Sequence, residues 1–218
     1  EGEVGRYDRH LVQWADRRLD RITAIDLEKL KQDKVKEGLQ PATIRHILGQ
    51  LRAIINKAID WDLFPGPNPV RRIKMPQIDN KRERYLTPEE AAALLDLLYN
   101  RSLRTWRLSL LSLHTGMRFS ELARLTWQSV NLVDRSLTFK GKRGWRNVHM
   151  TPTAAQTLAD MEPGAPGSLV FPSKIGGVST KISTAFARAV DSLGLNDGVT
   201  DDRHKVVFHT LRHTCASW

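Results

Sequence analysis

Cysteine is nearly missing from this chain: Cys215 stands alone, so no disulfide can form within it. That composition fits a reducing, cytoplasmic compartment. No apolar run approaches the length that spans a bilayer, so no membrane partner is expected. The first residues lack the charged-then-apolar layout of a signal peptide. An initiating methionine is missing as well, and the opening Glu1-Gly2-Glu3 reads as a fragment or a processed start. Internal repeats and low-complexity tracts are absent. His10, His46 and His204 have no partner at metal-ligand spacing, so no metal is expected there. Tyrosine is scarce, and Tyr7, Tyr85 and Tyr99 all fall in the first half.

Acidic residues are in deficit: 24 Asp and Glu face 34 Lys and Arg, a formal net charge of +10. An excess of that size favours an anionic partner, nucleic acid before a membrane surface. The cations are spread along the chain, which suits folded surfaces better than a basic tail. Apolar residues make up 40% of the 218, enough for one large domain or two small ones.

The stretch from about Gly5 to Trp61 has a helical pattern. Val12, Ala15 and Leu19 suggest a first stripe, and Asp26 a cap for a second helix that ends at Gly38. From Pro41 the pattern sharpens: Ile44, Ile47, Leu48, Leu51, Ile55 and Ala58 form one buried face. Arg45, Arg52 and Asn56, with Lys57 beside them, occupy the opposite face, which is read as a DNA-contact face rather than a merely solvated one. Helix breakers at 64–69 and a charged run at 79–84 divide the chain. The expected division is a helical DNA-binding domain over 1–78, a basic linker over 79–84 and a second domain over 85–218. Thr87-Pro88-Glu89-Glu90 opens a helix with a cap, a first-turn proline and a capping box. It carries Ala92, Leu94, Leu95, Leu98 and Tyr99, and a second helix runs from about Leu103 to His114. After Trp127 the period changes to alternation, giving strands at Ser136–Lys140 and Arg146–Met150 joined by a loop at 141–145. Helices are expected again at Thr153–Met161, at Ser179–Leu193 with Ser179 as cap, and from about His209.

Chemistry concentrates in three segments. Thr115-Gly116-Met117-Arg118-Phe119-Ser120-Glu121-Leu122 reads as a sharp turn into a helix, with Arg118 and Glu121 on one side. A guanidinium at a helix start suits a phosphate, although an ordinary helix start with a surface ion pair has the same pattern. The hairpin loop supplies Lys142, with Lys140, Arg143 and Arg146 nearby. His209-Thr210-Leu211-Arg212-His213 places His209 and Arg212 on one helical face, and Leu211, Cys215 and Trp218 on another. Trp145, in the hairpin loop, is the tryptophan that stands out as able to stack on a sugar or base. His114 and His149 are read as element-end residues, either of which could approach the site, and His213 as a structural hydrogen-bonding group.

Both arginine segments together resemble the tyrosine recombinases of the phage-integrase kind. Thr-Gly-Met-Arg-Phe-Ser-Glu-Leu is similar to that family's first arginine box, and His-Thr-Leu-Arg-His-Thr-Cys-Ala-Ser-Trp to its His-x-x-Arg box. The resemblance implies a mainly α protein: a helical core-binding domain and a mainly helical catalytic domain with a small antiparallel β-sheet, the two forming a C-shaped clamp on duplex DNA. It implies that Arg118 and Arg212 clamp the scissile phosphate, that Lys142 or Lys140 acts as general acid, that His209 assists proton transfer and that Glu121 supports the site. The family's attacking tyrosine lies downstream of the His-x-x-Arg helix, and none of the three tyrosines here matches it. A chain ending at Trp218 is therefore expected to be truncated and unable to cleave DNA alone, and to be a monomer, whereas family members act as tetramers on DNA. A type IB topoisomerase and a catalytically inactive DNA-binding module are the alternative readings.

Overall fold

A computed structural model describes residues 2–78, 84–141 and 144–218. It divides into two units, residues 1–80 and 81–218, each with its own hydrophobic core. Most of the charged run expected as a linker lies outside the described residues.

The first unit is built from α1 (Glu3–His10), α2 (Ala24–Lys36) and α3 (Pro41–Asp60). Pro41 occupies the first turn of α3, where its missing N–H costs nothing. Ile44, Ile47, Leu48, Leu51, Ile55 and Ala58 are all buried, so the apolar face is the one read from the pattern. The cap of α2 is Thr23 rather than Asp26. Thr23 Oγ1 accepts the Asp26 N–H at 3.2 Å, and Asp26 Oδ2 accepts the Thr23 N–H at 2.9 Å, a reciprocal capping box. Gly38 follows the helix at φ 78°, a conformation in which a Cβ would be strained. The first stripe departs from expectation. After α1 the chain breaks into two 3₁₀ turns at Val12–Trp14 and Leu19–Arg21. Val12 is 54% exposed, and Leu11 takes the buried position instead. Leu11 joins the core formed with α3, and of the expected stripe Leu19 packs against that core.

The second unit is organised on α5 (Leu103–Thr115), which packs against α4 (Pro88–Arg101), α7 (Pro152–Ala159) and α9 (Phe208–Ser217). Leu108 to Leu113 are buried without interruption, as expected of a helix covered on nearly every side. Thr87 and Glu90 form the predicted capping box of α4. The buried face of α4 is Ala91, Leu94 and Leu98; Ala92 is exposed, and Tyr99 lies at the surface with its ring edge-on to Trp106. A short α6 (Phe119–Leu122) leads to a three-stranded antiparallel sheet in the order β1 (Val130–Asn131), β2 (Ser136–Gly141), β3 (Gly144–His149). Strand β1 is too short to show alternation in the sequence. Gly141 pairs with Gly144, and Lys140 with Trp145, so Trp145 belongs to a strand rather than to a loop. Helix α8 (Thr184–Ser192) starts later than expected, capped by Ser183. The Ser179 hydroxyl instead accepts a bond from Arg104 Nη2 at 2.7 Å. Among the described residues no helix is long and apolar enough to cross a membrane.

Candidate functional site

Helix α5 ends where Gly116 turns left-handed at φ 64°. The turn buries Met117 and delivers Arg118 to the cap position of α6, one residue before the helix rather than inside its first turn. Glu121 closes back on Arg118 twice. Its carboxylate accepts the Arg118 backbone N–H at 2.8 Å and the Arg118 Nη1 at 3.0 Å. The Glu121 side chain is only 9% exposed, whereas that of Arg118 is 48% exposed. The acid is therefore a buried anchor, and the guanidinium it holds faces outward.

Two further arginines reach the same place. Arg146, on β3 opposite Phe139, lies with its guanidinium 5.7 Å from the centre of that ring and its Nη1 3.9 Å from Glu121 Oε1. Gly141 leaves room for it, because a Cβ there would stand 3.1 Å from Arg146 Cδ. Arg212, on α9, donates through Nη1 to the carbonyl oxygen of Gly116, which ties the second arginine segment to the turn that presents the first. Burial holds the Arg212 pKa below its ordinary value, and the charges of Arg118 and Arg146 act in the same direction, against the pull of Glu121. Two guanidinium groups, those of Arg118 and Arg146, thus pair with one carboxylate, and the charge of Arg212 is felt by all three. The uncompensated positive charge suits an anion with several oxygens, such as a phosphodiester.

His209 occupies the first turn of α9, three residues before Arg212, with its ring 4.8 Å from that of His213 and perpendicular to it. Beside Arg118 runs an open groove of about 840 Å³, lined by Glu121, Arg124, Gln128, Lys140 and Trp145 among others. Lys140 thus lines the same groove as Arg118 and Glu121, while Lys142 and Arg143 lie outside the described residues. Arg124 was not singled out from the sequence. Its spacing of three from Glu121 on a helical segment was the available signal. The carbonyl of Gly116 left no signal at all, since any residue supplies one.

His114 lies in the last turn of α5, with its Nδ1 3.1 Å from Thr151 Oγ1, and burial lowers its pKa. Among the described residues no group of three or more His, Cys, Asp or Glu is placed to hold a metal ion. In the first unit, Arg45 and Lys57 line a second groove together with Arg6, His46 and Gly49. Arg52 is exposed outside that lining. Asn56 is engaged inward, its Oδ1 accepting from Asn68 Nδ2 at 2.7 Å.

Residues 84–218, which carry the whole arginine cluster, match the model of the phage integrase family. The chain belongs to that family. An integrase of Escherichia phage P2 is 31% identical over 130 residues, covering 59% of this chain and 37% of the phage protein. A tyrosine recombinase XerC of Xanthomonas campestris pv. campestris is 24% identical over 222 aligned positions, covering 95% of this chain and 66% of that protein. The chain thus spans less than two thirds of either relative. The fold is that of a λ integrase dimer bound to a COC′ core site, with a TM-score of 0.73 at 19% identity over 99% of this chain and 78% of that one. It is equally that of a Tn1549 transposon integrase in complex with transposon right end DNA, with a TM-score of 0.75, 19% identity and the same coverage. The mainly α class with a small antiparallel sheet is thereby established for this member of the phage integrases.

Proposed function

We propose that this chain is the DNA-binding and phosphate-activating part of a site-specific recombinase that cleaves and rejoins duplex DNA. The observation that carries the reading is the bond from Arg212 to the Gly116 carbonyl, because it joins the two family arginines into one cationic surface. In this reading Arg118 and Arg212 bind the non-bridging oxygens of the scissile phosphate and stabilise the charge that gathers there in the transition state. Glu121 holds Arg118 and Arg146 in place. A tyrosine hydroxyl attacks phosphorus, forming a 3′-phosphotyrosyl bond as the bond to the 5′ oxygen breaks. The tyrosyl proton leaves towards a base, with His209 assisting, and a lysine, Lys142 or Lys140, protonates the departing 5′ oxygen. Rejoining reverses these steps, so the phosphodiester energy is conserved and no cofactor is required.

Tyr7, Tyr85 and Tyr99 all precede Arg118 in the sequence. Tyr7 packs on the core of the first unit and Tyr99 against Trp106. The reading therefore takes the nucleophile from sequence following Trp218 in the whole protein and expects the 218-residue chain to bind DNA without cleaving it. Residues 1–78 act as the second DNA-binding element through Arg45, Arg52 and Lys57, Asn56 being engaged inward with Asn68, and Arg143 adds a phosphate contact from the hairpin. The λ integrase structures include a tetramer bound to a Holliday junction. By analogy the whole protein works as a tetramer on DNA, and the present chain as a monomer in the cytoplasm.

The test is covalent trapping on a nicked suicide substrate carrying the element's own attachment site. The whole protein is expected to form an adduct that is lost in Arg118→Ala and in the 218-residue chain. Salt-sensitive binding without any adduct from the whole protein would favour a DNA-binding module instead.

A further inference from the structure

Trp145 is 73% exposed on β3, an unusual setting for a large indole unless something covers it. Its strand partner is Lys140, and both line the groove that opens beside Arg118. Among the described residues, Arg118, Arg124 and Lys140 are the cations that line that groove, and the one acid there, Glu121, is already bonded to Arg118. The groove's volume of about 840 Å³ lies within the range of roughly 300–1,000 Å³ that takes small organic ligands. An aromatic face, flanking cations and amide and hydroxyl groups from Gln128 and Ser129 are what a single nucleotide of a DNA strand calls for.

We infer that this groove seats a nucleotide next to the phosphate held by Arg118 when that nucleotide is unpaired from the duplex, with the Trp145 indole stacked on its base. The inference rests on the reading of the chain as a DNA-binding protein, though not on its cleaving DNA. Stacking accepts any base, so Trp145 adds affinity and fixes the strand's position without choosing sequence. The cationic lining argues against an apolar peptide as occupant and suits the phosphates that flank a nucleotide in a strand. Trp145 is thereby a positioning residue for the strand rather than a member of the arginine cluster.

The experiment compares binding of the 218-residue chain to a short oligodeoxythymidine and to a wholly abasic strand of equal length. Both strands carry the same phosphates, so contacts to Arg45, Lys57 and the arginine cluster cancel in the ratio. Stacking of one base corresponds to a preference for the thymidine strand of roughly 5- to 150-fold. Trp145→Ala is expected to abolish the preference while leaving affinity for the abasic strand unchanged, and Trp145→Phe to keep most of it. Because the side chain is largely exposed, both variants should melt at the wild-type temperature. A preference that survives Trp145→Ala, an equal loss on both strands, or no preference in the wild type would each overturn the inference. Failure of covalent trapping alone would leave it standing, which separates it from the cleavage reading.

Discussion

Glu121 does two things with one carboxylate: it caps the turn before α6 through the Arg118 N–H and it holds the Arg118 guanidinium. Replacing it with glutamine removes the carboxylate charge that pairs with Arg118 and Arg146. The expected loss is about 1–2 kcal/mol of stability, the range of a lost charged hydrogen bond and cap, with weakened phosphate binding. Thermal melting and DNA titration of Glu121→Gln check this, and unchanged values in both would show that Glu121 does not organise the arginines. A second residue-scale prediction concerns Asp26. Bonds from the Thr23 hydroxyl and backbone N–H, and from Arg17, lower its pKa from 3.8 to about 2. A depressed carboxylate pKa contributes stability that is complete above the unfolded value and is lost as pH falls through the folded one. The first unit should therefore weaken between about pH 4 and pH 2. In Asp26→Asn that slope should flatten in acid titrations followed by circular dichroism.

At the scale of elements, α9 is fastened to the start of the second unit. The buried Thr214 hydroxyl accepts the Leu86 N–H at 2.9 Å and donates to the Thr210 carbonyl at 2.9 Å. Thr214→Val keeps the shape but leaves the Leu86 N–H unsatisfied, at a cost of about 1–3 kcal/mol. Hydrogen exchange should accelerate at Leu86 and along α9, the helix that carries His209 and Arg212; protection equal to the wild type would remove the clip from the account. The elements differ in how far the sequence disclosed them. Helix α3 was legible because six apolar residues repeat at helical spacing, and α4 because Thr87, Pro88 and Glu90 each mark a helix start. Strand β1 has two residues and no period to read. The start of α8 was misplaced because Ser179 and Ser183 are equally good caps, and only the bond from Arg104 decides which one is taken. Arg118 and Glu121 were readable as a local pair. The joining of Arg212 to Gly116 was not, since it links a side chain to a backbone carbonyl 96 residues away.

For the whole molecule, the proposed binding to DNA together with the formal charge of +10 predicts phosphate contact as the main source of affinity. Each neutralised phosphate contributes about 0.9 to the slope of log K against log salt. Replacing Arg45 and Arg52 together by alanine should lower that slope by about 2 and weaken binding to all sequences alike. An unchanged slope would take the exposed face of α3 out of the DNA interface.

The most direct measurement of the central claim, that Arg118 and Arg212 serve to neutralise one phosphate, replaces that phosphate rather than the protein. A suicide substrate with a charge-neutral methylphosphonate at the scissile position would be offered to the whole protein and to its Arg118→Ala and Arg212→Ala variants. The account predicts that both variants, inactive on the natural phosphate, recover adduct formation on the neutral one. Equal loss of activity on both substrates would contradict it and assign the arginines a role other than charge neutralisation.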